Sequence, residues 1–311
     1  MTTKPNCIIV LGPTASGKTR LAVNIADRMN GAILSFDSRQ VYKKLNIGTG
    51  KDLNEYQLND KQIPYYLIDL CNIETHFHSY DFIQSYISAF NECETKKQLP
   101  ILAGGTGLYF DLALKKHQYI NIPNNESLRT ELLDKTHEQL ISVLQSYVAK
   151  NTEQADISTV KRTVRAIEIA DFLSKQEAVP IPYPSLQPIL FGIRLSASER
   201  KLRIQQRLMT RIDEGLIAEV ASLLNDGISS ERLHFLGLEY TFITSYLTGK
   251  YDLPTMIDRL QTAILQYSKR QMTWFRKMER EGNQIHWING NASISEQLLE
   301  VEKQLKNYQS I

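Results

Sequence analysis

Cys7-Ile8-Ile9-Val10-Leu11-Gly12-Pro13-Thr14-Ala15-Ser16-Gly17-Lys18-Thr19 is the stretch on which the reading of the whole chain turns. An apolar run enters a glycine, a second glycine follows after four residues, and Lys-Thr closes the segment. Beyond it, Leu21, Ile25 and Met29 recur at helical spacing. Strand, glycine-bounded loop and helix in that order make a phosphate-binding loop. The glycines let the backbone curl with its N–H groups inward, and the helix N-terminus adds positive potential. Gly12, Pro13, Thr14, Ala15, Ser16, Gly17, Lys18 and Thr19 are therefore expected to grip a di- or triphosphate, with Lys18 as a mobile charge. Thr19 carries the hydroxyl that such loops offer to Mg²⁺. The loop alone does not say what becomes of the phosphates.

Outward from this loop, short apolar runs at 32–36, 65–70 and 99–103 alternate with helical patterns after Lys18 and Ser79. Such alternation predicts an α/β fold, a P-loop NTPase-like parallel sheet flanked by helices. Ligands of such a sheet lie beyond the C-terminal ends of its strands. Between 115 and 159 the strand-like runs stop, and 127–136 and 138–150 read as helices. This predicts a small all-helical insertion, with 1–114 and 160–311 forming the α/β core and its C-terminal helices. A loop carrying Pro180, Pro182, Pro184 and Pro188 leads to a further apolar run at 189–195. A long helix is expected over 254–280 and a last short strand over 285–288.

Bulk properties narrow the classes. Hydrophobic residues make up 42% of the 311, enough for a sizeable core, and charged residues 23%. No apolar run has the length of a bilayer span, and the N-terminus lacks the pattern of a signal peptide. Cys7, Cys71 and Cys93 are scattered and odd in number, which fits a reducing compartment, so a cytoplasmic protein without membrane contact is expected. A monomer is expected. The net charge of +2 gives the whole molecule little attraction for nucleic acid. The distribution is less even: residues 161–211 hold ten Lys/Arg against four Asp/Glu, and Lys269, Arg270, Arg276, Lys277 and Arg280 face only Glu279. Patches of this kind suit a polyanion, and equally a solvated helix face.

Three further segments can carry chemistry. Asp37-Ser38-Arg39-Gln40-Val41-Tyr42 follows the run ending at Phe36, where a carboxylate can hold Mg²⁺, accept a proton or cap a turn. Gly104-Gly105-Thr106-Gly107-Leu108-Tyr109 follows the run 99–103 and offers close backbone approach and a hydroxyl. In the expected helix 198–212, Arg200, Arg203, Arg207 and Arg211 share one face, a set of forks matched to phosphate oxygens. Nothing resembles a water-orienting glutamine, and Asp37 and Asp69 are the only well-placed acids. Phosphate gripping without hydrolytic machinery suggests a transferase in which diphosphate is bound or expelled.

Taken together these segments resemble the tRNA dimethylallyltransferases, also called tRNA isopentenyltransferases. The family's G-P-T-A-S-G-K-T stands at 12–19, D-S-x-Q-[IV]-Y at 37–42, I-G-T at 47–49 and G-G-T-G-L-Y at 104–109. R-x-x-R-A-x-E stands at 162–168, R-x-x-x-R at Arg203 and Arg207, and K-R-Q-x-T-W-[FL]-R at 269–276. The resemblance implies transfer of a dimethylallyl group from dimethylallyl diphosphate to the exocyclic N6 of the adenosine 3′ to the tRNA anticodon. It implies Asp37 as the proton acceptor, with Thr106 and Arg207 holding the diphosphate opposite the P-loop, and Mg²⁺ as cofactor. It implies the anticodon loop as partner, met by Ser38, Arg39 and Gln40 and by Arg129, Lys161, Arg162 and Arg165, with the insertion contacting tRNA. The chain departs from the family at Gly50-Lys51-Asp52, where A-K-P is usual, and at 65–69, where H-H-L-x-D is usual. An enzyme prenylating free adenylate, a small-molecule P-loop kinase and a non-catalytic RNA-binding protein with a vestigial P-loop are the alternatives; the first would label AMP, the second would consume ATP with no prenyl donor, and the third would keep its activity on Asp37→Ala.

Overall fold

A computed structural model of the chain describes residues 5–58, 60–147 and 155–309. It divides into two compact units, one of residues 1–114 with 184–311, the other of residues 115–183.

The first unit is built on a parallel sheet. Its strands in chain order are β1 (Cys7–Leu11), β2 (Gly31–Phe36), β5 (Tyr65–Tyr66), β6 (Leu99–Gly104), β7 (Pro188–Arg194) and β8 (Ile285–Asn289). A separate antiparallel pair, β3 (Gln57–Leu58) and β4 (Lys61–Gln62), lies between β2 and β5 in sequence. The sheet order is β5-β2-β6-β1-β7-β8, every neighbouring pair parallel. Every residue of β1 and β2 is buried, the continuous apolar habit of strands covered on both faces. Along one face, Leu21 and Ile25 of α1 (Lys18–Met29) and Leu298 and Val301 of α12 (Ile294–Gln309) join Ile8, Val10, Ile101 and Phe191 in one core. Elsewhere in the core, Phe36 meets Phe82 and Tyr86 of α2 (Ser79–Thr95) and Phe110 of α3 (Gly107–Lys115), at centroid distances of 5.1, 5.4 and 4.9 Å. The P-loop-like α/β architecture is thus as the alternation predicts.

One strand is shorter than its apolar run. Residues 65–70 supply only Tyr65–Tyr66, because Leu67 and Asp69 take positive φ (68° and 57°). The chain then folds back, Asp69 N–H donating to Gln40 O at 3.0 Å and Cys71 N–H to Val41 O at 3.0 Å.

A second core of the same unit gathers the C-terminal helices: α7 (Ala197–Asp213), α8 (Leu216–Asn225), α9 (Ser230–Phe235), α10 (Leu238–Leu247) and α11 (Leu253–Arg280). Asp252 caps α11, its carboxylate accepting from Thr255 N–H at 2.9 Å, and Pro254 sits in the first turn where its missing N–H costs nothing. Met256, Leu260, Ile264, Ser268, Gln271, Phe275 and Met278 form its buried stripe. Among the described residues no helix is long and apolar enough to cross a membrane.

The second unit contains α4 (Glu126–Leu132), α5 (His137–Ser146) and α6 (Val160–Lys175) around Leu132, Leu140, Leu144, Ala166, Ile167 and Ala170. Its boundary differs from the expected 115–159. Helix α6 belongs to this unit, whose limit falls at Tyr183, because the apolar face of α6 has its partners on α4 and α5. The stretch 127–136 is not one helix either: Thr136 caps α5 in a reciprocal box with Gln139. The far end of the expected helix 138–150 lies partly outside the described residues.

The charges of R-x-x-R-A-x-E close on themselves here. Glu168 is buried; it accepts from Arg129 Nε at 2.8 Å, from Arg165 Nη1 at 3.3 Å and from the Asn125 N–H at 2.7 Å. Arg165 also donates to Ile122 O at 2.6 Å. Glu168→Ala would leave both guanidiniums and a helix-capping N–H without their carboxylate. Removal of one partner of a buried ion cluster typically costs about 3 kcal/mol or more, and a loss of that size is expected in chemical denaturation, with Glu168→Gln losing less.

Candidate active site

The sheet order sets β1 beside β6 and β6 beside β2, so the loops leaving their C-terminal ends adjoin. Those loops are the sequence-predicted segments beginning at Gly12, Asp37 and Gly104. They meet at a cavity of about 440 Å³, within the range of small-molecule sites; of the third segment Gly104 lines it and Thr106 does not. Thr14, Lys18, Thr19, Asp37, Ser38, Arg39, Gln40 and Arg207 all line it.

The P-loop takes its shape from two left-handed residues, Ala15 (φ 59°) and Gly17 (φ 88°). Gly17 is the N-cap of α1, so the helix N-terminus faces what the loop encloses. A Cβ on Gly12 would collide with the Ser16 side chain. Burial pulls the Lys18 ammonium down to about 8; Asp37 opposes that shift and Arg207 adds to it. Burial likewise lowers Arg207, to about 10, with Arg211 contributing in the same direction. These cations are held near one another in a poorly hydrated site, an arrangement completed by an anion.

Asp37 directly follows β2. Its Oδ1 accepts the Arg39 N–H at 2.9 Å, which fixes the carboxylate in a tight turn. Thr106 Oγ1 accepts the Ser38 N–H at 3.1 Å, and Thr106 N–H donates to Phe36 O at 3.2 Å, so the glycine-rich turn and the aspartate turn are bonded together. A Cβ on Gly104 would strike the Phe36 carbonyl, which is why glycine stands there. From α7, Arg207 Nη2 donates to Thr14 Oγ1, Arg203 Nη1 donates to Ser16 O at 3.3 Å, and Arg211 pairs with Asp52 at 3.2 Å. The basic face of α7 thus lies over the P-loop and the edge of the cavity.

Several expected residues have other occupations. Gln40 is buried; its carboxamide accepts from Ser35 Oγ at 2.7 Å and donates to Gly50 O at 2.8 Å. Asp69 is ion-paired with the buried Lys51, whose ammonium also donates to Tyr42 O at 2.8 Å. Lys51 and Asp69, which match the family pattern, thus tie down the loop whose departures Gly50 and Asp52 line the cavity. Arg39 lies with its guanidinium 5.4 Å over the exposed Phe235 ring. Arg129 and Arg165 are the Glu168 partners described above, while Lys161 and Arg162 are exposed and Arg162 pairs with Asp156 at 3.0 Å.

Sequence reasoning missed Glu219 and Gln271. The Glu219 carboxylate on α8 accepts the N–H groups of Asn46, Ile47 and Gly48 at 3.0, 2.8 and 3.1 Å and the Tyr240 hydroxyl at 2.7 Å. The 46–48 backbone holds this carboxylate as a helix N-terminus holds an anion. Gln271 on α11 accepts Thr14 N–H at 2.9 Å and donates to Gly105 O at 2.9 Å. Gln271 stands in the K-R-Q-x-T-W-[FL]-R segment, a signal that named no role for it; Glu219 had none.

The pH response of this site follows from Lys18. In the free protein the ammonium is charged below about 8 and neutral above it. With the ligand's own ionisation allowed for, affinity for a phosphate ligand should therefore decline as pH rises through that value, by up to about tenfold per pH unit. A titration of inorganic diphosphate binding across this range reads the effect.

A phosphate loop at the carboxyl ends of a parallel sheet makes this an α/β protein of the P-loop class. The IPP transferase family model matches residues 40–278, and the chain belongs to that family. A tRNA dimethylallyltransferase 2 of Bacteroides fragilis is 40% identical over 301 residues, covering 97% of this chain and 98% of the relative. One from Phocaeicola vulgatus is 43% identical over 286 residues, 92% and 93% of the two chains. The full-length tRNA isopentenylpyrophosphate transferase of Bacillus halodurans, known from its crystal structure, shares 27% identity over 99% of each chain with a TM-score of 0.71.

Proposed function

We propose that this chain transfers the dimethylallyl group of dimethylallyl diphosphate to N6 of the adenosine 3′ to the anticodon in tRNA. The observation that carries the reading is the shared cavity: Lys18 and Arg207, two desolvated cations, line it together with the Asp37 carboxylate. The cations match a leaving diphosphate, whose charge grows as the bond breaks. The carboxylate matches a weak nucleophile that must shed a proton.

The N6 lone pair attacks C1 of the donor, the C1–O bond breaks, and diphosphate departs with the bonding electrons. The N6 proton passes to Asp37. Lys18, the P-loop N–H groups, Thr106 and Arg207 hold the diphosphate. Mg²⁺ bound at a phosphate site takes one or two protein oxygens, the ligand's own oxygens and water. Thr19, whose side chain lines the cavity, fits that role without a dedicated cluster, and the described residues contain no group of three metal-ligating side chains. When bound, the ion supplies further neutralisation at the diphosphate oxygens.

The acceptor adenosine is stacked in its loop and must turn out to enter the cavity. Ser38 and Arg39 stand at that cavity as RNA contacts, and Gln40 acts by holding their turn. In the helical unit, exposed Lys161 and Arg162 are the RNA-facing cations, whereas Arg129 and Arg165 secure Glu168. We assign the reaction to a monomer in the cytoplasm. The names of the relatives favour tRNA over free adenylate as acceptor. Incubation with labelled dimethylallyl diphosphate and either tRNA or AMP tests this: label on tRNA and none on AMP is expected, and label on AMP alone would refute the reading.

A further inference from the structure

We infer that Gln271 is a positioning residue that sets the spacing between the P-loop and the glycine-rich turn, and thereby the affinity for the diphosphate group. The inference rests on the reading that these two loops hold diphosphate.

Gln271 lies in the buried stripe of α11 and is 5% exposed. Along that stripe Ile264, Phe275 and Met278 are apolar, and the one other polar member is Ser268, which has a far smaller side chain. A buried carboxamide there is unfavourable unless both of its ends are satisfied. They are, and both partners belong to phosphate-facing loops: Oε1 accepts Thr14 N–H and Nε2 donates to Gly105 O, each at 2.9 Å. Thr14 can only donate there and Gly105 only accept, so the backbone dictates which way the amide points. One rigid planar group therefore spans the two loops.

Each end leads on to the chemistry. The Thr14 hydroxyl is the partner of Arg207. Thr106, next to Gly105, is the partner of the turn that carries Asp37. A Cβ on Gly105 would collide with Nε2 of Gln271, so the glycine leaves room for this amide. An apolar residue at position 271 would fill the stripe at least as well. The amide instead serves the spacing of the two loops.

The test uses the full chain with Mg²⁺ and two readouts: calorimetric titration with inorganic diphosphate, and steady-state prenyl transfer to tRNA. Gln271→Met keeps the shape of the side chain and removes both hydrogen bonds. Both bonds are already present in the free protein, so only part of their worth can appear in binding: diphosphate affinity should weaken several-fold, by about 30-fold at most, and the donor KM should rise by a similar factor. The tRNA Kd and kcat at saturating donor should stay within about threefold of the parent. Gly105→Ala displaces the amide from the other side while leaving α11 intact. It should weaken diphosphate binding by a similar factor, and Gln271→Ala added to it should weaken binding no further. A lower melting temperature with unchanged diphosphate affinity and donor KM in both variants would mean a merely structural residue and overturn the inference. A parent protein that binds no diphosphate would overturn the reading beneath it as well.

Discussion

Asp37→Asn is expected to lower kcat for prenyl transfer by about 10²–10⁴-fold, the usual worth of a positioned general base. The substitution is nearly isosteric. The new carboxamide would keep an oxygen to accept the Arg39 N–H that now bonds Oδ1 at 2.9 Å, so the turn and its bond from Ser38 to Thr106 should survive. The amide cannot take the proton that N6 must lose. The donor KM and tRNA Kd should therefore move little, and the loss should sit in single-turnover chemistry. A variant retaining more than about a third of the parental kcat would remove Asp37 from the proton path.

Lys18→Met should lower kcat/KM for the donor by about 10²–10³-fold, as expected for removal of one charge-stabilising group from a preorganised site. Its effect on the free protein should run the other way. Burial depresses the Lys18 pKa from 10.5 to about 8, so in the folded chain the charged form is the disfavoured one. A depressed folded value means stability is withheld below about 8 and recovered as pH rises toward 10.5. Relative to Lys18→Met, the parent protein should gain thermal stability across that interval, the buried thiols and phenols that titrate the other way being common to both. At neutral pH the variant should melt no lower than the parent, a site cation being kept for binding at a cost to the empty fold. A large fall in melting temperature at neutral pH would contradict the desolvated character assigned to Lys18.

What the sequence disclosed depended on range. The P-loop is legible because its parts are contiguous: β1, the turn at Gly12–Gly17 and the first turn of α1 are one local unit. Asp37 and Thr106 are legible because each follows the end of an apolar run, and a parallel sheet brings such ends to one edge. Gln271 and Glu219 act on loops far away in sequence, and nothing in helical periodicity names the loop that a polar side chain will reach. The run 65–70 misled because apolar character does not reveal backbone sign, and positive φ at Leu67 and Asp69 ends the strand. In the R-x-x-R-A-x-E helix the sequence showed the charges but not their pairing: the buried Glu168 takes Arg165 of its own helix and Arg129 of α4. The insertion boundary failed for the same reason, since α6 shares both its charges and its apolar face with the helical unit.

The most direct test of the central claim is a crystal structure with dimethylallyl thiolodiphosphate and Mg²⁺. The diphosphate is expected on the P-loop N–H groups, within hydrogen-bond reach of Lys18, with C1 of the prenyl chain turned toward Asp37. Diphosphate bound elsewhere, or bound there with C1 directed away from that carboxylate, would contradict the proposed chemistry.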